Sequence, residues 1–287
     1  MVVVMETLEK PVASTSDMIR IPGGTFRMGS DRHYPEEAPS HLVTVDGFWI
    51  DATPVTNAQF RTFVEATGYV TWAEIAPDPK DYPGALPHML KAGGLVFTPP
   101  SGPVDLRDWS QWWRFTFGAF WRRPHGKGSH IGGLEDAEFA WGDDFTPGGR
   151  HMANTWQGEF PRENRREDGW ARTSPVRAFP PNGYGLYDMI GNVWEWTTDW
   201  YSARHPADAP KACCVPENPR GGPKEQSSDP RDRLHIPRKV LKGGSHLCAP
   251  NYCRRYRPAA RHAEAVDTTT SHVGFRCVVR ARGDQHE

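Results

Sequence analysis

Glycine and proline constrain what this chain can fold into more than any other feature of its sequence. The 287 residues include 28 glycines and 27 prolines. Both residue types interrupt regular structure and favour turns, so long helices should be few. The chain nevertheless has 37% hydrophobic residues and 12 tryptophans, which suffice for a real core. Its length suits one large domain or two ordinary ones.

The clearest predicted element is a single helix. Thr56 suits an N-cap, Phe60, Phe63 and Val64 follow at helical spacing, and Gly68 ends the pattern. Alternating apolar residues predict short strands elsewhere. The predicted strands cover 19–29, 41–51 and 272–279, and irregular surface is predicted over 76–128 and 203–238.

Charge and cysteine content limit the classes of partner and compartment. The net charge of −1 without a basic run argues against nucleic acid. No apolar stretch approaches the ~20 residues of a membrane span, and the first ten residues lack a signal-peptide pattern. Five cysteines, an odd count, argue against a framework made only of disulfides. We therefore expect a cytoplasmic protein without a membrane or nucleic-acid partner.

Two cysteines, Cys248 and Cys253, are the strongest candidates for chemistry. Their four-residue gap is too wide for a zinc knuckle, and two thiolates alone suit Cu(I). Nearby positive charge lowers thiol pKa values. The arginines that crowd the pair are Arg254, Arg255, Arg257 and Arg261. Spacing alone leaves open a structural disulfide or two inert buried thiols.

Two further segments, 153–170 and 182–200, combine carboxylates and carboxamides with glycine. Ca²⁺ takes six to eight oxygen ligands, many of them backbone carbonyls in irregular chain, so both segments are candidate calcium sites. Neither matches an EF-hand loop. The alternative is that Asp168, Asp188 and Glu195 cap turns or face water.

Several motifs together resemble one family. They are Ile-Pro-Gly-Gly-Thr-Phe-Arg-Met-Gly-Ser at 21–30, Pro-Val-Thr-Asn-Ala-Gln-Phe at 54–60, Asn-Gly-Tyr-Gly-Leu-Tyr-Asp-Met-Ile-Gly-Asn-Val-Trp-Glu-Trp at 182–196, Gly-Gly-Ser-His-Leu-Cys-Ala-Pro-Asn-Tyr-Cys-Arg-Arg-Tyr-Arg at 243–257 and Gly-Phe-Arg-Cys at 274–277. From about residue 19 to 280 the chain resembles the formylglycine-generating enzymes, or sulfatase-modifying factors. The two-cysteine motif resembles that of the copper enzymes among them.

The resemblance implies an α+β, C-type-lectin-like fold with little regular secondary structure. It implies a loose leader at 1–18, one domain at 19–282 and a tail at 283–287. The implied reaction uses O₂ to oxidise the cysteine of a Cys-x-Pro-x-Arg motif in an unfolded type I sulfatase to Cα-formylglycine. We also expect a monomer.

The resemblance also assigns roles to individual residues. Cys248 and Cys253 would hold Cu(I), and Ser245 would be the third catalytic residue. The substrate would contact Trp121, Arg122, Trp194, Tyr252 and His272, the last at a position where many relatives carry asparagine. One structural Ca²⁺ would bind Asn154, Thr155, Asp168 and Trp170. A second would bind Asp188, Gly191, Val193 and Glu195.

One departure from the family pattern lies between Ile131 and Gly132. Relatives carry a long block there, with a strand, a helix and a Leu-Pro-Thr-Glu-Ala-Glu-Trp-Glu signature, which this chain lacks. Two alternatives to an oxidase therefore stay open. One is a catalytically silent lectin-like binding module. The other is an iron-dependent sulfoxide synthase, which needs a three-histidine site for which the sequence shows no motif.

Overall fold

One α-helix and eleven short strands make up the regular structure of the described part of the chain. The computed structural model describes residues 17–125, 146, 149–205 and 215–280. The strands are β1 (Met18–Ile21), β2 (Gly24–Met28), β3 (His41–Val45), β4 (Phe48–Asp51), β5 (Gly93–Phe97), β6 (Trp113–Phe117), β7 (Trp194–Trp200), β8 (Arg238–Lys242), β9 (His262–Ala265), β10 (Val273–Gly274) and β11 (Val278–Arg280). The helix, α1, spans Asn57–Thr67. An α+β fold with little regular secondary structure is confirmed.

The predicted helix is confirmed at both ends. The Thr56 hydroxyl accepts a hydrogen bond from the Gln59 backbone N–H at 3.3 Å, and the Gln59 side chain accepts from the Thr56 N–H at 2.8 Å. This reciprocal capping box satisfies two backbone donors at the start of α1. Gly68 ends the helix with φ +67°, and its N–H donates to the Val64 carbonyl. On the apolar face, the Phe60 ring meets the Trp121 ring at a centroid distance of 5.0 Å.

The strand predictions near the N-terminus need correction, because each predicted strand is two. Segment 19–29 forms β1 and β2, which turn at Gly23, and segment 41–51 forms β3 and β4, which turn at Gly47. The two turns pack so closely that a Cβ on Gly23 would lie 2.8 Å from the Gly47 nitrogen. β2 then pairs with β3, whereas β1 and β11 flank β4.

The central sheet positions most of the site. Its order is β10–β7–β8–β9, with β7 antiparallel to β8 and parallel to β10. β7 begins at Trp194, and β8 ends immediately before the glycine pair that enters the cysteine loop, defined here as residues 245–253. The sheet therefore brings segments 192–196 and 243–253 side by side.

Two other predictions are wrong. Segment 76–128 is not irregular throughout, since β5 and β6 pair antiparallel within it. Segment 272–279 is not one strand, because β10 joins the central sheet while β11 pairs with β4. Residues 203–205 and 215–237 contain no strand, which agrees with the predicted loop there.

Several predictions fall largely or wholly outside the described residues. These are the leader at 1–18, of which Met18 already lies in β1, the tail at 283–287 and the junction at 131–132. No helix in the described ranges is both long enough and apolar enough to cross a lipid bilayer.

The main aromatic core lies directly under the cysteine loop. It comprises Phe97, Trp112, Trp156, Phe160, Leu247 and Ala249, all buried. Aromatic rings in cores prefer edge-to-face or offset contacts at 4.5–7 Å. Phe160 meets Trp112 edge-on at 5.5 Å and Trp156 at 5.3 Å. Because Leu247 and Ala249 flank Cys248, the core fixes the first half of the loop.

Candidate functional site

The cysteine loop folds back on itself and brings the two predicted thiols together. The Cys248 N–H donates to the Ser245 carbonyl at 2.9 Å, and the Cys253 N–H donates to the Ala249 carbonyl at 2.9 Å. The two sulfur atoms then lie 3.2 Å apart. Both residues are free cysteines, so the disulfide alternative is not the state shown by the structure.

The two thiols have opposite electrostatic environments. A hydrogen bond from Cys248 lowers the pKa of Cys253 to about 6, helped by the backbone N–H and the charge of Arg255. Burial raises the pKa of Cys248 well above its ordinary value. The pair therefore loses its first proton more readily, and its second less readily, than two isolated thiols would. The charge of Arg255 lowers the pKa of both thiols as predicted, but at Cys248 burial outweighs it.

Ser245, the third predicted catalytic residue, is buried and belongs to the loop itself. Its N–H donates to the Cys248 sulfur at 3.4 Å, and its hydroxyl oxygen accepts from the Leu247 N–H at 3.2 Å. Gly244, directly before it, has φ +73°, and a Cβ there would lie 2.9 Å from the Tyr256 nitrogen. Only glycine fits this close approach, which sets the path of the chain into the loop.

Aromatic side chains predicted to contact substrate surround the pair. Tyr252 is 39% exposed and stacks on Phe160, with ring centroids 4.4 Å apart and planes within 6°. Trp194 is buried in one apolar cluster with Cys248 and Leu241. Tyr252 therefore offers an accessible ring beside the thiols, whereas Trp194 supports Cys248 from below.

His272 lies at the adjoining end of the central sheet. Its Nδ1 is 2.7 Å from the Thr270 hydroxyl, and its ring lies 4.9 Å from the Trp113 ring. Burial lowers the pKa of His272 to about 3, so the ring is neutral at physiological pH. Its carbonyl accepts from the Trp194 N–H at 2.8 Å, which ties it to the strand below the thiols.

Trp121 and Arg122 lie beside α1. The Arg122 guanidinium sits 4.2 Å above the Trp121 ring, which packs against Phe60. Among the described residues, Trp121 therefore packs on the helix, and Arg122 stacks on Trp121; neither makes a ring contact or hydrogen bond with the cysteine loop.

The first predicted calcium set converges, and its atoms fit a hard cation. Asp168 is close to Thr155 and Trp170, whose N–H groups donate to its carboxylate at 3.1 and 2.9 Å. Burial raises the pKa of Asp168. The Oδ1 of Asn154 is buried with no hydrogen-bond partner among the described residues. The Gln157 amide also donates to the Asp168 carboxylate at 2.8 Å. An unpaired buried amide oxygen and a half-buried carboxylate are the oxygen donors that an ion such as Ca²⁺ prefers.

The second predicted set is shared with an arginine that sequence reasoning missed. Asp188 and Gly191 adopt φ +53° and +74°, which curves this segment around β7. Val193 follows, and the Glu195 carboxylate accepts two hydrogen bonds from Arg276, at 2.6 and 2.7 Å. The Arg276 side chain is only 4% exposed. A cation at this set would share Glu195 with the guanidinium, so this set fits Ca²⁺ less well than the first.

No group of three or more histidine, cysteine, aspartate or glutamate side chains in the described ranges is arranged to hold a metal ion. That statement does not apply to the cysteine pair, which has only two side chains. It does not apply either to the two candidate calcium sets, which include backbone carbonyls.

Comparison with known proteins identifies the chain's relatives. The family model described as the sulfatase-modifying factor enzyme 1-like domain matches residues 4–136 and 127–281. The formylglycine-generating enzyme of Mycobacterium tuberculosis is 48% identical over 301 residues, covering 92% of this chain and 97% of the relative. The formylglycine-generating enzyme of Mus musculus is 38% identical over 93% of this chain and 76% of its own length.

A third relative bears on the silent-module alternative. The inactive C-alpha-formylglycine-generating enzyme 2 of Bos taurus is 34% identical, covering 94% of this chain and 90% of its own length. The 301-residue alignment to the mycobacterial relative is longer than this chain of 287 residues. Relatives therefore carry residues with no counterpart here, and their location between Ile131 and Gly132 stays a prediction.

Proposed function

Because this chain belongs to the sulfatase-modifying factor family, we propose that it is a formylglycine-generating oxidase. The proposed substrate is the cysteine of a Cys-x-Pro-x-Arg motif in an unfolded type I sulfatase, and the product is Cα-formylglycine. The single observation that carries the proposal is the pair of free thiols at 3.2 Å, held on an aromatic core beside an exposed ring. The names of its relatives at 48% and 38% identity support it.

We propose that Cys248 and Cys253 hold Cu(I). A metal with only two sulfur donors must accept low coordination, which suits this ion. The copper would supply the O₂ and one-electron chemistry of the reaction. The pKa of Cys253 is already lowered, whereas Cys248 would have to give up its proton when metal binds. Ser245 keeps the Cys248 sulfur in place through its N–H.

The overall reaction removes two electrons from the substrate Cβ and releases its sulfur as H₂S. O₂ accepts four electrons and four protons to become two waters, and hydrolysis of the resulting thioaldehyde supplies the aldehyde oxygen and releases the H₂S. Two electrons therefore come from the Cβ and two from an external thiol reductant. The protein's own contribution is to position the substrate thiol against the pair. Tyr252, Trp194 and His272 are the proposed walls, and Trp121 and Arg122 would contact the substrate further along.

We propose structural rather than catalytic roles for Ca²⁺. The set of Asn154, Thr155, Asp168 and Trp170 is the better supported, through the unpaired Asn154 oxygen. We further propose that the protein works as a cytoplasmic monomer.

The second candidate function is a catalytically silent binding module. The inactive bovine relative and the residues that this chain lacks favour it. It predicts a folded protein without peptide oxidation.

The test measures Cu(I) stoichiometry and the intact mass of a Cys-x-Pro-x-Arg peptide after aerobic incubation with a thiol reductant. We expect about one Cu(I) per chain and conversion of peptide cysteine to aldehyde. Cys248→Ser and Cys253→Ser should each abolish both. Cys277→Ser is the matched control, because Cys277 is a free, exposed thiol whose backbone bonds to Asp51. Copper binding and peptide oxidation that survive both serine substitutions would refute the proposal. A wild-type protein that binds copper but leaves the peptide unchanged would favour the silent module.

A further inference from the structure

We infer that Tyr34, Glu36 and Glu37 form a clamp that positions the second half of the cysteine loop. These three residues lie in and before a 3-10 turn at Pro35–Glu37, more than 200 residues upstream of the thiols. They touch neither sulfur, and they act through the arginines that follow Cys253. The clamp deepens the proposed function, since it assigns positioning residues to the same site.

The first set of clamp contacts binds the residues that follow Cys253. The Tyr34 hydroxyl accepts a hydrogen bond from the Arg254 backbone N–H at 3.1 Å. The Arg255 guanidinium lies 3.8 Å above the Tyr34 ring and donates twice to Glu36, at 2.6 and 3.2 Å. One aromatic ring and one carboxylate thus hold both the backbone and the side chain that follow the thiol.

The second set of clamp contacts is a buried ion pair between Arg257 and Glu37. Arg257 donates to both carboxylate oxygens of Glu37, at 2.6 and 2.9 Å. The Glu37 side chain is 0% exposed. Two-point pairs of this kind fix orientation as well as distance. Arg261 adds a bond at 3.3 Å to the Glu36 carbonyl. These contacts make the 3-10 turn a rigid support for residues 254–261.

The first half of the loop has a different anchor. The Cys248 carbonyl accepts from the Trp156 N–H at 3.0 Å, and its neighbours sit in the aromatic core. Cys248 is thus fixed by the core, whereas the residues after Cys253 are fixed by the clamp. The distance between the sulfurs depends on both anchors. Partners of this kind around metal ligands are typically worth 10–100-fold in affinity or activity.

The test uses Glu36→Gln and Tyr34→Leu, of which the second changes no charge. Three quantities are measured: the Cu(I) dissociation constant by competition with a colorimetric chelator, the alkylation rate of Cys253 in metal-free protein, and the melting temperature. Both variants should weaken Cu(I) binding by about 10-fold and speed Cys253 alkylation by a similar factor. Tyr34→Phe keeps the ring over Arg255 and should have a smaller effect than Tyr34→Leu.

Asp229→Asn is the matched control. It removes a partly buried carboxylate that pairs with Arg231 at 3.0 Å and with Arg238 at 3.4 Å. Its melting temperature should fall as much as that of Glu36→Gln, with Cu(I) affinity unchanged. The clamp is wrong if both clamp variants keep wild-type affinity and alkylation rate, or if their melting temperatures fall far below that of the control. If the wild type itself binds no Cu(I), the proposed function fails, and the alkylation rates alone then support or overturn the clamp.

Discussion

Removing Ca²⁺ from the set around Asn154 and Asp168 should destabilise the protein by a measurable amount. Without the ion, the buried Asn154 Oδ1 has no partner in the described structure. A buried polar atom left unsatisfied costs ~1–3 kcal/mol. The Asp168 carboxylate would likewise lose its proposed cation while it remains mostly buried. The ion would therefore link segments 154–155 and 168–170, which are close in space through these hydrogen bonds.

The size of the effect follows from mass action. Ca²⁺ at about 100 times its dissociation constant stabilises the folded state by ~2.7 kcal/mol. For domains somewhat smaller than this one, each kcal/mol shifts the melting temperature by ~2–4 °C. Saturating Ca²⁺ should therefore raise the melting temperature of metal-free protein by about 5–10 °C.

The assay is a thermal melt of chelator-treated protein with and without added Ca²⁺. Asp168→Asn keeps the size of the side chain but removes its charge, so it should abolish the Ca²⁺-dependent rise. Asp108→Asn, at an exposed position, should retain it. A wild-type melt that Ca²⁺ leaves unchanged after verified metal removal would refute the reasoning, as would an Asp168→Asn variant that responds fully.

The remaining predictions concern the helix, the entry to the loop and one buried lysine. Thr56→Ala should lower the free energy of unfolding, measured by urea denaturation, by ~1 kcal/mol because it removes the N-cap of α1. Thr62→Ala, in the same helix, should change it by no more than ~0.5 kcal/mol. Equal losses in the two variants would contradict the role of Thr56 as N-cap. Gly244→Ala should destabilise the protein more than Gly84→Ala and should also weaken Cu(I) binding. Both glycines have positive φ, but only Gly244 is crowded by neighbouring backbone. Equal Cu(I) affinities of the two variants would count against this prediction. Burial lowers the pKa of Lys242 to about 8, so the folded state binds fewer protons than the unfolded state between pH 8 and about 10.4. The free energy of unfolding of the wild type should rise with pH across that window, and Lys242→Met should lack that rise. If urea denaturation gives the two proteins the same pH dependence, the prediction is wrong.

Local signals in the sequence predicted local structure well. The helix was predictable because Thr56, Phe60 and Gly68 carry its cap, its apolar face and its stop within thirteen neighbouring positions. The proximity of the two thiols could also be predicted, since their spacing in the sequence allows one tight loop.

Features that depend on distant partners were not predictable. Segment 272–279 reads as one strand, yet Val273 pairs with β7 and Val278 pairs with β4, so the chain changes sheets between them. β5 and β6 were missed because their pairing joins residues from separate parts of a proline-rich stretch. Arg276 was missed at the second calcium set for the same reason, because no local pattern indicates that it pairs with Glu195.

The clamp shows the same limit in its strongest form. Two adjacent glutamates and a series of arginines are visible in the sequence, but 220 residues separate Glu37 from Arg257. Charge pairs across such a distance have no periodicity that a single sequence can reveal. Only the folded chain shows which arginines face the thiols and which neutralise carboxylates.

The long separation between Glu37 and Arg257 also dictates an order of events during synthesis. Ribosomes add ~5–20 residues per second, so the 220 residues between these partners take roughly 10–45 s to appear. Until then, the position that buries Glu37 would enclose an unpaired carboxylate, which is strongly unfavourable. We therefore expect Glu37 to become buried only after the segment that carries Arg257 has been synthesised. The thiol pair closes only when that segment docks, so a metal-binding geometry arises at the end of folding and not before.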